Sequence, residues 1–366
     1  MQAAPVQHVS DIDPRRVSIE LTNICNLRCG YCIRDDEQLY HSPANYFPVD
    51  LLRRIIRGAR TAYDIKSVSF TGGEVTLHPR FTEIVEAVRE EGVKFSFVTN
   101  GWHFDRVFAA LLQNREAMRV VAFSLDGATR EAHDRWRGEG SFVRVVRAVT
   151  KCYRHGLPFI FKATIRRDTV PQLEQMALLA ARLGALSVDF SHLLPTSSEF
   201  DQELALNREE RAHSEQEIGV LGKILRMRVA IAAGYYDPNP DPPCSNLRGI
   251  NCNIDYRGRL TLCCNIAGYR GAAGEADVVA DLTREDFIPA YERLQTLVNQ
   301  QVERRREALA AFSRQGIEPD LFTGSPCLFC LQSFGKIPWR QPADAPSRSL
   351  PVLAAATATP TLVSTV

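Results

Sequence analysis

The chain has 366 residues, 45% hydrophobic and 24% charged, with a formal net charge of +1, enough for one barrel-sized domain and a smaller one. The near-zero charge gives no footprint for nucleic acid or an acidic bilayer, and no apolar run reaches the length of a membrane span. Met1 to Pro14 lacks the pattern of a signal peptide, so ten cysteines read as metal or redox chemistry in a cytoplasmic protein rather than as a secreted disulfide framework.

An alternating apolar run, Val17 to Leu21, leads directly into Asn23-Ile-Cys-Asn-Leu-Arg-Cys-Gly-Tyr-Cys32. This places Cys25, Cys29 and Cys32 in a C-x3-C-x2-C spacing. A single turn has no room to bury three neighbouring thiols as core, but they can converge on one metal centre. Three thiolates suit an iron–sulfur cluster, which normally takes four cysteines, and leave one iron open. Structural zinc, which closes its shell with four ligands, is the competing reading of the triplet.

Apolar residues at helical spacing then alternate with short strands. Helices are expected over 48–63, 79–91, 103–113, 142–155 and 170–183, and strands over 67–71, 94–99, 120–125, 159–165 and 186–191. Strands joined by single helices are parallel with right-handed crossovers. Six such units fall short of a closed eight-fold barrel, so the expected fold class is α/β, a partial (β/α)6 TIM-like barrel. The polar motifs sit at the C-terminal strand ends: the cysteines, Gly72-Gly73-Glu74, Asn100, Ser124 with Asp126, and His192. That is the end at which parallel barrels hold their active sites.

A further amphipathic helix is expected over 207–231, and the proline-rich run 237–243 reads as a stiff linker. The domains expected are an N-terminal extension (1–15), the barrel (16–235), a cysteine-rich hairpin and helix domain (236–340) and a disordered Ala/Thr/Pro/Ser-rich tail (341–366). Residues 285–314 read as helical, with Arg304 to Arg306 a solvated face. No internal repeat is present, and the histidines show no metal spacing; His192 reads as structural before substrate-facing.

The ordered set Cys25/Cys29/Cys32, Gly72-Gly73-Glu74, Asn100-Gly101 and Ser124-Leu-Asp-Gly127 resembles the radical SAM superfamily over residues 16–195. The stretch His133-Asp-Arg-Trp-Arg137 with Gly140-Ser-Phe142 resembles the branch that carries an added C-terminal cluster domain. The resemblance implies a [4Fe–4S] cluster on the three cysteines whose open iron chelates S-adenosylmethionine. One electron then releases a 5′-deoxyadenosyl radical that abstracts a substrate hydrogen. It also implies roles for cofactor-binding residues. Tyr31 would lie against the adenine, Gly72 and Gly73 would let backbone approach the methionine moiety, and Glu74 would accept from its amino group. Asn100, Ser124 and Asp126 are candidates for the ribose hydroxyls and the carboxylate, and Arg137 for the carboxylate.

Downstream, thirteen residues separate Cys244 from Gly258 and four separate Gly258 from Cys263; the distant pair Cys327-x2-Cys330 follows. This order resembles a SPASM/twitch auxiliary domain with Cys244, Cys263, Cys327 and Cys330 holding one auxiliary [4Fe–4S] cluster. Zinc remains the rival for a four-sulfur site. Cys252 and Cys264 read first as small buried residues, with ligation or hydrogen-atom donation as alternatives, and Cys152 reads as core.

The implied function is oxidoreductase chemistry on a ribosomal-peptide (RiPP-type) or other natural-product or cofactor-pathway substrate. A sugar or aminoglycoside dehydrogenase, decarboxylase or epimerase is the alternative, and a non-catalytic iron–sulfur electron-transfer protein the alternative of another class. The expected partners are an electron donor such as ferredoxin or flavodoxin, the substrate and a separate leader-peptide-binding protein. About 24 residues precede the first cysteine, so no recognition domain is expected there. The terminal Ser-Thr-Val argues against the molybdenum-cofactor cyclase branch, which ends in Gly-Gly.

Overall fold

The computed structural model describes residues 15–34, 37–241, 244–270 and 274–340. Residues 1–14, the expected tail 341–366 and residues 242–243 of the proline run lie outside the described residues. In chain order the main elements are β1 (Arg16–Thr22), α1 (Val49–Tyr63), β2 (Ser67–Gly72), α2 (Phe81–Glu90), β3 (Lys94–Thr99), α3 (Asp105–Gln113) and β4 (Met118–Ser124). Next come α4 (Arg130–Arg137), α5 (Ser141–Arg154), β5 (Phe159–Ile165), α6 (Leu173–Arg182), β6 (Ser187–His192), α7 (Ser198–Glu203), α8 (Arg208–Ile224) and β7 (Arg228–Ala233). The C-terminal part adds β8 (Asn251–Ile254), β9 (Arg259–Thr261), β10 (Val278–Asp281), α9 (Phe287–Arg314), α10 (Leu321–Gly324) and α11 (Pro326–Ser333).

One sheet holds all ten strands in the order β10-β9-β8-β1-β2-β3-β4-β5-β6-β7. Strands β1 to β7 pair in parallel, each with the next. Val17, Ile19 and Leu21 of β1 and Phe159, Phe161 and Ala163 of β5 belong to the apolar core shared with the helices. Successive strand side chains alternate in direction, so Ser18, Glu20, Lys162, Thr164 and Asp189 share the opposite, concave face and line a polar lumen. Helix α1 covers the outer face with Leu52, Ile55, Ile56 and Ala59, all buried; full burial of such a side chain is worth roughly 1.5–3 kcal/mol.

The expected helix over 207–231 is corrected: α8 stops at Ile224, and a seventh parallel strand, β7, follows after three residues. Leu225 ends the helix in extended backbone, with no glycine or proline to mark the change in the sequence. The solvated face expected for Arg304 to Arg306 is also corrected at its middle residue. Arg305 is buried, and its guanidinium donates to the carbonyls of Thr323 (3.3 Å), Asn239 (2.7 Å), Gly324 (3.1 Å) and Asp237. It ties the chain before Cys244 to the chain before Cys327.

The hairpin that carries Cys263 extends the barrel sheet. Strand β8 pairs in parallel with β1, Val17 opposite Cys252 and Ile19 opposite Ile254. Arg257-Gly258 turns it into β9, with Gly258 at φ 85°, a left-handed conformation that glycine adopts without strain.

Candidate active site

The cysteine loop leaves β1 and is braced on all sides. Asn23 accepts from Asn45 N (2.7 Å) and donates to Pro43 O (3.1 Å), while Tyr40 Oη donates to Leu27 O (2.5 Å). Its base explains the two glycines. Gly73 N and Glu74 N donate to Thr22 O and Ile24 O, both at 2.8 Å. A Cβ on Gly73 would lie 1.9 Å from Ile24 O, and one on Gly72 2.5 Å from Thr22 O. What bars side chains here is the chain's own cysteine loop, a different cause from the approach of a methionine moiety expected from the sequence.

Glu74 is buried and its carboxylate accepts from protein donors. Oε1 accepts from Thr76 N (3.1 Å), Thr76 Oγ1 (2.6 Å) and Thr99 Oγ1 (2.6 Å), and Oε2 from Asn100 N (2.8 Å). A carboxylate oxygen has about two acceptor sites, so Oε1 is filled by the protein while Oε2, with one donor, keeps room for a further one. Glu74 aims Asn100, whose Nδ2 reaches Asn26 Oδ1 at 3.0 Å and Cys25 Sγ at 3.9 Å.

Asp126 is fully buried at the end of β4. It accepts from Thr164 N (2.9 Å), from Tyr31 Oη and from Arg137 Nε. Burial alone would raise its pKa, but Arg137, Arg166, the Tyr31 hydroxyl and His133 outweigh it and bring the carboxyl down to about 2. Tyr31 thus meets Asp126 and stands edge-on to Trp136, with ring centroids 5.9 Å apart. Arg137 is already neutralised, so the ligand carboxylate expected for it would have to share it with Asp126. Ser124 lies buried at the end of β4, its backbone in register with Lys162 of β5.

Sequence reasoning missed Arg166, Trp136 and Asp168. The Arg166 guanidinium lies 4.8 Å from the Tyr31 ring centroid and 4.5 Å from that of Trp136. Its Nε donates to Asp168 (3.0 Å), which also accepts from Trp136 Nε1 (2.7 Å). Both terminal nitrogens are buried with no hydrogen-bond partner among the described residues; Nη1 lies 4.0 Å from an Asp126 oxygen. The signal available was position: Arg166 immediately follows a strand that ends at the mouth.

His192 turns away from the lumen. Its Nε2 lies 3.0 Å from Glu215 of α8. Burial holds His192 well below its usual pKa and pushes Glu215 up to about 7. The contact is a hydrogen bond within the fold.

Both sets of thiols suit an iron–sulfur cluster. Cys25 Sγ accepts from Leu27 N at 3.5 Å. Burial, with Glu74 adding to it, pushes that thiol up to about 12, and a bound cationic centre would favour its deprotonation. Cys244, Cys263, Cys327 and Cys330 line one cavity. Their sulfurs accept from Asn265 N (Cys263, 3.4 Å), Gly234 N (Cys327, 3.3 Å) and Gln301 Nε2 (Cys330, 3.6 Å), and backbone N–H groups of Asn246 and Leu247 favour the Cys244 thiolate. Such hydrogen bonds to sulfur are a means by which proteins set cluster potentials. Cys252 lies outside this group, its sulfur 3.5 Å from Tyr63 Oη in the apolar core. Cys264 does not line the cavity but meets the Cys263 thiol in a hydrogen bond, with Arg34, Lys162 and Arg16 also acting on it, and it is half-buried rather than the buried core residue expected. Cys152 is core. Among the described residues, no three His, Cys, Asp or Glu side chains form a group that could hold a single metal ion.

The two sets are neighbours. Arg270 N donates to Ile33 O (2.8 Å), Arg270 Nη1 to Gly30 O (3.1 Å) and Arg34 to Ala267 O, which docks the segment after Cys263 on the first cysteine loop. Buried Arg34 also pairs with Glu20 at 2.8 Å.

Residues 19–180 match the model of the radical SAM superfamily. That superfamily binds a [4Fe–4S] cluster and S-adenosylmethionine. The chain is 34% identical over 172 residues to the mycofactocin maturase MftC of Mycobacterium ulcerans, covering 45% of this chain and 44% of that protein. It is 27% identical over 181 residues to AlbA, a subtilosin biosynthesis protein of Bacillus subtilis, covering 49% and 39%. It thus spans less than half the length of these curated relatives. In fold it resembles Streptococcus suis SuiB bound to S-adenosylmethionine, with TM-score 0.62, 15% identity and 78% and 68% of the two chains covered. It also resembles anSMEcpe with bound AdoMet, with TM-score 0.62, 16% identity and 78% and 83% covered. The α/β partial-barrel class is the fold of these neighbours. No helix among the described residues is long and apolar enough to cross a membrane.

Proposed function

We propose that the chain is a radical S-adenosylmethionine enzyme with one auxiliary [4Fe–4S] cluster that modifies a ribosomally made peptide. The observation that carries this reading is the meeting, at one barrel mouth, of the Cys25/Cys29/Cys32 loop, the two unpartnered terminal nitrogens of Arg166 and the segment after Cys263. Similarity to a mycofactocin maturase and to an antilisterial bacteriocin biosynthesis protein supports the substrate class.

When bound, the first cluster supplies the electron that cleaves the sulfonium and yields the hydrogen-abstracting radical. This chain's residues then hold the ligand. Arg166 offers two free N–H edges to its carboxylate, a pairing that suits a planar guanidinium, and takes over the role expected for Arg137. Arg137 and Tyr31 keep Asp126 ionised and in place. Glu74 sets Asn100 over the loop, and Ser124 would face the ribose. Cys244, Cys263, Cys327 and Cys330 would hold the auxiliary cluster. We assign residues 16–235 to the barrel and 236–340 to the auxiliary part. An electron donor such as ferredoxin or flavodoxin and a separate leader-peptide-binding protein complete the proposal.

The test is anaerobic reconstitution followed by dithionite reduction. The reading expects 5′-deoxyadenosine from S-adenosylmethionine and about eight irons per chain, on the four-iron arithmetic of two cubanes. Absence of 5′-deoxyadenosine sinks the enzyme and favours the electron carrier; about four irons sink the auxiliary cluster.

A further inference from the structure

At the opposite end of the strands from the cysteine loops, the lumen ends in a cavity of about 220 Å3 that the proposed reaction does not use. Its charged lining is Arg16, Arg119, Arg228, Lys162 and a single carboxylate, Asp189, with the hydroxyls of Ser69 and Ser96 beside them. The carboxylate is already claimed. Asp189 Oδ1 accepts from Arg228 Nη2 at 2.7 Å and from Ser187 Oγ at 3.1 Å. Arg228 Nη1, by contrast, is buried with no hydrogen-bond partner among the described residues.

Lys162 is the cation left over. It sits mid-strand on β5, with Ser124 opposite it on β4 and Asp189 on β6. Among the described residues its ammonium makes no hydrogen bond or ion pair. Burial draws its pKa below the usual lysine value, Asp189 opposing and Arg16 adding to the fall. Asp189 and the Cys264 thiol are the acidic groups that act on it from a distance; a desolvated ammonium with no direct ion pair is costly, and such groups are found where a ligand completes them.

The geometry points to this cavity as a binding site for a small carboxylate. Lys162 is its counterion, and Arg228 Nη1 and the two serine hydroxyls are its hydrogen-bond donors. The volume is below the range of roughly 300–1,000 Å3 typical of drug-sized pockets, so it takes a group of a few heavy atoms. Asp189 is paired with Arg228, so Lys162 offers one unpaired positive charge, which a carboxylate matches. The carboxylate comes either from a free short-chain acid or from the acidic end of a substrate reaching down the lumen past Ser124.

The experiment uses the full reconstituted chain and ligand-observed NMR. One arm titrates propionate. The other titrates an acetylated pentapeptide with a free C-terminal carboxylate, alongside its C-terminal amide. The wild type is expected to bind propionate or the acid-ended peptide, at least tenfold more tightly than Lys162→Met does, while Lys162→Arg retains binding. Propionate binding alone assigns a free acid, and peptide-acid binding alone assigns the substrate; either result supports the site. Binding by neither at millimolar concentration, or equal binding by wild type and Lys162→Met, overturns it. Lys162→Met is expected to keep its iron content and to melt no lower than wild type, so lost binding is distinct from lost fold. None of these readouts depends on 5′-deoxyadenosine formation, so the site stands or falls apart from the proposed reaction.

Discussion

At Gly73 a single hydrogen atom decides whether the first cysteine loop can form. A methyl group would stand 1.9 Å from Ile24 O, inside any allowed contact, and the carbonyl belongs to the residue before Cys25. Gly73→Ala is therefore expected to displace the loop and lower iron uptake by about four per chain, read as lost absorbance near the cluster band and by iron assay. A second prediction concerns Asp126. Its folded-state pKa, about 2, lies below the ordinary 3.8. The unfolded chain thus binds more protons between those values, and the stabilisation is full above about pH 4 and lost as pH falls towards 2. About two pKa units correspond to about 2.5 kcal/mol, an order-of-magnitude figure for a fully buried group. Denaturant titrations at pH 5 and pH 3 should show wild-type stability falling more steeply than that of Asp126→Asn. Parallel slopes would mean that Asp126 is not held ionised by Tyr31, Arg137 and Arg166. The sequence marked Asp126 and Arg137 as ligand contacts because motif order says nothing about pairing. Only the folded chain brings the two together to satisfy each other and leaves Arg166, in no motif, with free terminal donors.

Among the elements, the strands that feed the mouth were legible because each is a short apolar run closed by a polar turn. Lys94–Thr99 and Phe159–Ile165 have the expected bounds. Strand β7 was hidden because Arg228 to Ala233 continues the apolar pattern of α8 with no proline between them, and it is set by pairing with β6, 41 residues earlier at the register Ser187↔Arg228, rather than by local propensity. Helix α9 gives the converse case. Its Arg304-Arg305-Arg306 run looks like a solvated face, yet a helix turns about 100° per residue, and the middle residue points inward. Arg305 collects four backbone carbonyls from the two segments that lead to the auxiliary thiols. Arg305→Met should leave those acceptors unsatisfied, at a cost of about 3 kcal/mol, and release Cys327 and Cys330 from register. Arg306 is about half exposed and pairs with Asp241 and Glu303; Arg306→Ala should change stability by less than about 1 kcal/mol. The contrast is checked by urea unfolding and iron counts. Equal effects of the two substitutions would refute the clamp.

At the scale of the whole molecule, the proline-rich run suggests a boundary between two separable parts, whereas the hydrogen-bond ladder joins them. Strand β1 carries the first cysteine loop at its end and is paired on one side with β2 and on the other with β8 of the auxiliary part. On the outer face, Tyr63 of α1 stacks on Tyr291 of α9 with centroids 4.6 Å apart. Cutting the chain after residue 241 would bare the β1 edge, uncover the apolar face of α1 and strip the Arg270 and Ala267 contacts from the first loop. An unpaired, buried-type edge strand is a template for aggregation. The barrel alone, residues 16–241, is therefore expected to be insoluble or to melt well below the full chain, and to take up few irons even though all three ligands of the first cluster remain. Quadruple substitution of Cys244, Cys263, Cys327 and Cys330 by alanine in the full chain separates metal from scaffold. If β8 pairing is what supports the first loop, that variant keeps about four irons and still forms 5′-deoxyadenosine. A soluble truncated barrel that also does both would mean that the auxiliary hairpin is an appendage rather than a wall of the same sheet.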